Sequence, residues 1–209
     1  MAEKTMTALM TDGQIDNVVD KFRAAVRKHR GEFGSDAVQQ ALGVENLGMK
    51  LLEPFRKLVE AFSNMIVRHV KVDWKFTPQQ ALDATGRKQY TDKSVVESMP
   101  RGEDDEGDIY FFRVDPSTYG GHISDEDLDK EFKSHALKPA DPYQLAKVNA
   151  DDPAFADTHP NGTHWKDAKG QWCYVAFDRW SGERYVCVYR DASGWAGHWW
   201  FAGRSQVAL

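Results

Sequence analysis

The hydrophobic pattern changes period along the chain, and each change marks a different element. From 13 to 30, Ile15, Val18, Val19, Phe22 and Val26 recur at helical spacing on one stripe. Asp12 stands where a cap belongs, and Arg27-Lys28-His29-Arg30 closes the helix at the end its dipole makes negative. Ser35 opens a short helix over 36–42, stopped by Gly43. A longer one over 46–67 presents Leu47, Leu51, Phe55, Leu58, Phe62 and Met65, and Pro54 kinks it or starts it afresh. These stretches predict an N-terminal helical segment, 1–69, acting either as a small bundle or as an arm for homo-oligomerisation.

At 69–76 the period drops to two. Val70, Val72, Trp74 and Phe76 alternate with Lys71, Asp73 and Lys75, which predicts a half-buried strand. Thr77-Pro78-Gln79-Gln80 is a capped helix start, predicting a helix over 78–85, and another runs from Thr91 to Ser98. A strand is expected at 109–115, a helix at 125–136 capped by Ser124, and helical turns after Asp141-Pro142 and Asp152-Pro153.

The stretch 163–202 holds six of the seven tryptophans and is divided by turn signals at Asp167–Gly170 and Ser181-Gly182. It predicts a three- or four-stranded antiparallel meander whose last strand covers 195–203. A two-residue turn at Ser181-Gly182 sets Trp180 opposite Glu183 and fixes the register behind it. Cys173, Val175, Phe177, Val186 and Val188 then share an aliphatic face. Trp172, Tyr174, Ala176, Tyr185, Cys187 and Tyr189 share an aromatic one, and Trp199 and Trp200 fall on opposite faces of the last strand. The fold class is therefore α+β: the helical segment, then a domain at 70–209 with an antiparallel β-meander packed on one side by short helices.

Composition narrows the picture further. The net charge of −5 divides into +2 over 1–75 and −7 over the remainder, which disfavours a dedicated nucleic-acid binder. The two cysteines, Cys173 and Cys187, fall on opposite faces in the expected register, so no disulfide is expected. With no signal-like leader and no long apolar run, no membrane span is expected and the expected location is the cytoplasm.

Seven pieces stand out between 77 and 203: TPQQA (77–81), GRKQY (86–90), MPRGE (99–103), LKPADPY (137–143), DPAFA (152–156), THWKD (163–167) and WWFAG (199–203). On these pieces the chain from 77 to 203 resembles a group of small bacterial proteins that carry no assigned function. The resemblance implies that this part is one unit and that the preceding helices are an addition. It brings no catalytic residues with it.

Candidate chemistry is sparse. His164 and Asp167, with Cys173 as a nucleophile, form the candidate set for a small hydrolase-like enzyme. His159, His164 and His198 are weighed as an open zinc site, and the carboxylates of 103–108 as a calcium loop, but neither spacing matches a metal motif. No metal and no cofactor is expected, because the glycines match no phosphate-binding fingerprint. The leading expectation is a non-enzymatic binding module that uses Trp172, Tyr174, Tyr185, Tyr189, Trp199 and Trp200 on a protein or peptide partner. The alternatives are the enzyme, or single-stranded nucleic acid or glycan stacked on the same rings, with Arg179, Arg184 and Arg190 as the nearby cations.

Overall fold

The computed structural model describes residues 10–60, 63–102, 104–190 and 194–206 of the 209-residue chain. It divides into two compact units between Ser63 and Asn64. The first contains α1 (Asp12–Lys28), α2 (Ser35–Leu42) and α3 (Leu47–Glu60). Thr11, one residue before the expected cap, forms a capping box with Gln14, and Pro54 lies inside α3. No residue of these three helices is buried, and Phe22, Leu42 and Leu58 are more than half exposed.

In the second unit the order is β1 (Met65–Lys71), α4 (Pro78–Asp83), β2 (Lys88–Thr91), α5 (Lys93–Glu97), β3 (Glu106–Arg113), β4 (His122–Ile123), α6 (Asp125–Ser134), β5 (Leu137–Pro139), α7 (Pro142–Asp151) and α8 (Phe155–Thr158). Then come β6 (Asn161–Lys166), β7 (Trp172–Trp180), β8 (Glu183–Arg190), β9 (Trp195–Ala196) and β10 (Trp200–Ser205). The fold is α+β. The main sheet runs β1-β3-β10-β6-β7-β8-β2, with β5 against β10, while β4 and β9 pair separately.

The local expectations at the hairpin hold. Trp180 faces Glu183 and Cys173 faces Arg190 across β7 and β8. Ser181 and Gly182 both have positive φ, 51° and 84°, the geometry of a turn whose twist matches that of the strands. Cys173, Val175, Phe177, Val186 and Val188 are all fully buried on one face.

Three features depart from the expected sheet. It is mixed rather than purely antiparallel: β10 runs parallel to β6, and β2 parallel to β8. The segment 195–203 is two strands, not one. Trp195-Ala196 pairs with β4, and after a turn the chain enters the sheet between β3 and β6. The expected strand at 69–76 lies earlier, at Met65–Lys71, and Trp74 follows it in a turn, packed on the core.

Helices also cover both faces. Leu82, Val95, Val96, Tyr143, Leu145 and Phe155, from α4, α5, α7 and α8, pack on the aliphatic face. Leu128 and Phe132 of α6, with Ile123 and Trp195, form a second core against Phe112 and Phe201 on the other. β10 fits between two cores because Trp200 and Ala202 enter the first and Phe201 the second, while Gly203 gives room to Phe132 and Leu137, each about 3 Å from where a Cβ would sit.

Candidate aromatic face and the histidine clamp

The same face of β7, β8 and β2 carries Trp172, Tyr174, Tyr185, Tyr189 and Tyr90, of which Tyr174 packs against the second core, edge-on to Trp195. Pairing of Lys88 with Tyr185 and of Tyr90 with Cys187 places the β2 residues on this face. Tyr90 and Tyr189 are exposed, while Trp172, Tyr174 and Tyr185 are half-buried. Trp180, the next residue of that face at the hairpin tip, is 77% exposed. Polar groups lock the rings. The Tyr185 hydroxyl donates to Asp178 Oδ2 at 3.0 Å, and burial with this carboxylate raises its pKa. Tyr90 packs edge-on to Tyr185 with centroids 6.0 Å apart, under Lys88, which pairs with Glu183 at 3.1 Å.

The other expected binding residues are placed differently. Trp200 is buried in the first core, and Trp199 lies against the second, edge-on to Trp195. They belong to opposite cores, and neither joins the β7–β8–β2 face; β10 begins only at Trp200, so the expected alternation within one strand is not what separates them. Trp172 is at the edge of that face but already engaged. It stacks on His164 (4.6 Å between centroids, 13° between planes), lies under Lys166 Nζ at 4.4 Å, and donates Nε1–H to Glu126 Oε1 at 2.6 Å.

His164 is the centre of a clamp between β6 and α6. Its side chain is fully buried. Nδ1 meets Asp125 Oδ1 at 2.5 Å and Nε2 meets Asp129 Oδ1 at 3.1 Å. Asp125 and Asp129, one helical turn apart, lie on the same side of α6. The same Asp125 oxygen accepts Nε1–H of the buried Trp195 at 3.0 Å. Burial alone lowers a histidine pKa, but the two carboxylates outweigh it and the direction is upward, while His164 holds Asp129 below its ordinary value.

The structure does not bring the hydrolase candidates together. Cys173 belongs to the aliphatic core, on the opposite face of the sheet from His164, and burial raises its thiol pKa. Asp167 turns to the backbone N–H groups of Gln171 and Lys169 and to Arg190, and these hold it below the ordinary carboxylate range. His159 stacks on Phe155 and His198 lies beside Trp199. In the acidic loop, Glu106 pairs with Lys71, Asp108 with His69 and Asp104 with Arg204, whereas Glu103 lies outside the described residues. Among the described residues no cluster of His, Cys, Asp and Glu has the geometry to hold a metal ion. No described helix is long and apolar enough to cross a membrane.

Pattern reading missed Asp125 and Asp129, which lie 39 and 35 residues from His164 in sequence. It also missed Tyr90 and Trp180 as members of the face. Trp180 was within reach, because the even-numbered positions from Trp172 onward share one side of the strand. No family model, curated protein or solved structure matches this chain.

Proposed function

We propose that the chain is a non-enzymatic binding module that presents the outer aromatic face of β7, β8 and β2 to a protein or peptide. The observation that carries this reading is Trp180, 77% exposed at the end of a row of tyrosines held on a regular sheet. Tyrosine and tryptophan give large contact area at small entropic cost, and they anchor protein interfaces. On this face Lys88 is paired with Glu183, and Asp178 accepts the Tyr185 hydroxyl. A nucleic-acid surface needs a positive groove. The three arginines that would supply it are engaged elsewhere: Arg179 and Arg184 with Asp157, and Arg190 with Asp167 and Asp92. The separation of Cys173 from His164 leaves the hydrolase reading without its nucleophile–base pair.

The test is site-specific photocrosslinking in the native cells. A crosslinker at position 180 or 189 should yield one discrete protein adduct that a crosslinker at Lys93 of α5 does not. Adducts of the same pattern from all three positions would refute the reading. Recovery of glycan or RNA in place of protein would refute the partner class.

A further inference from the structure

A second surface in the same unit adjoins the aromatic face at Trp172, which lines both. A cleft of about 440 Å³ opens beside the end of β6, between β5 and the loop before β3. Its size is within the range of small-molecule sites. Among the described residues four cations line it, Arg101, Lys138, Lys166 and Arg204, against two carboxylates, Asp129 and Asp141. This is a cationic concavity in a chain of net charge −5.

The state of each charge decides what the cleft accepts. Asp129 is already bonded to His164, which forms part of the lining. Arg204 is held by Asp104 at 3.1 Å, and with the Gln144 amide turned to satisfy both neighbours it is also bonded by the amide oxygen at 3.1 Å. Among the described residues Arg101 donates only to neutral oxygens, the Phe76 carbonyl at 2.9 Å and the Tyr143 hydroxyl at 3.4 Å. Lys138 and Lys166 are both exposed, and neither makes an ion pair with a described residue; Lys166 rests on the Trp172 ring. Three cations thus face the cleft with no carboxylate partner among the described residues. Asp141, within the lining, already accepts the Gln144 backbone N–H at 2.9 Å and the turned Gln144 amide at 2.7 Å, and its remaining lone pairs suit a ligand hydroxyl. Burial pushes its carboxyl up to about 6, so near neutrality it also exchanges protons.

We infer that this cleft binds a small organic phosphomonoester, its phosphate held by Lys138, Lys166 and Arg101 and a hydroxyl of its organic part turned to Asp141. Arg101, Lys138, Lys166 and Arg204 outnumber Asp129 and Asp141 by two charges among the described lining residues, His164 being paired with Asp125 outside the lining, and a phosphomonoester brings about −1.5 to −2 at pH 7. Three strong acceptor oxygens match ammonium and guanidinium donors converging from separate segments. A phosphate alone leaves most of the volume empty, and the lining also includes Pro100, Pro139 and Trp165, which suit a carbon skeleton.

The test is calorimetric titration of the full chain with glycerol 3-phosphate and glucose 6-phosphate, and with inorganic phosphate, glucose and succinate as comparisons. The organic phosphates should bind saturably, more tightly than inorganic phosphate, and weaken as salt rises. Lys138→Ala and Lys166→Ala should each lower affinity by about tenfold, the effect of removing one charge-assisted bond. Their thermal unfolding should be unchanged, since both side chains are exposed, and Lys93→Ala should bind as the native chain does. The inference is overturned if no organic phosphate binds at millimolar concentration. It is equally overturned if the Lys138 and Lys166 variants bind normally, or if glucose or succinate binds as well as the phosphates.

Discussion

Asp125→Asn removes one charge from the interior and changes almost no volume. In the native chain one Asp125 oxygen receives both His164 Nδ1 at 2.5 Å and Trp195 Nε1 at 3.0 Å. Hydrogen bonds to charged partners contribute about 1.5–3 kcal/mol and neutral ones about 1. An asparagine oxygen still accepts both bonds but without charge, so the loss is roughly 1–2 kcal/mol at His164 and under about 1 at Trp195. The total is roughly 1–3 kcal/mol where His164 is protonated, or about 2–12 °C in melting temperature for a chain of this size. The pH dependence follows from the raised His164 pKa. A raised histidine contributes stability that is fully present below its unfolded value, about 6.5, and is lost as pH rises through the folded value. The variant should therefore differ most from the native chain at about pH 6 and least at about pH 9. Urea unfolding followed by tryptophan fluorescence at both pH values measures this. An equal loss at the two, a larger loss at the higher pH, or a loss under about 0.5 kcal/mol at pH 6 would refute the ion-pair clamp.

Gly162→Ala would place a Cβ 2.6 and 2.7 Å from two ring carbons of Trp195 and 3.2 Å from the Val175 carbonyl oxygen. Trp195 is 4% exposed and tied to Asp125, so it cannot swing clear; calorimetry should show a loss of about 2–3 kcal/mol, and a neutral result would mean that the ring is loosely held. Asp141→Asn should stabilise the protein at neutral pH. The folded Asp141 holds its proton up to about 6 against an ordinary value of 3.8, so the native chain loses stability as pH rises through that window, by up to about 3 kcal/mol. Asparagine still caps α7, so the variant should be the more stable at pH 7 and the difference should vanish near pH 4 in thermal melts; a destabilised variant at pH 7 would contradict this.

What the sequence determined was whatever rests on neighbours in the chain. The β7–β8 register follows from two turn residues that reach positive φ and from strict alternation on either side. The α4 start was legible because Thr77 and Gln80 satisfy each other's backbone N–H groups three residues apart. Tertiary structure decided everything whose partner is distant. Four residues at Lys88–Thr91 become a strand only because β8 offers them a parallel edge, and Trp200–Ser205 lies between β3 and β6 because its small and large side chains fill two separate cores. His164 acquires its chemistry from carboxylates on α6, and the cleft draws its cations from four separate segments, contacts that local hydrogen bonding and periodicity do not encode.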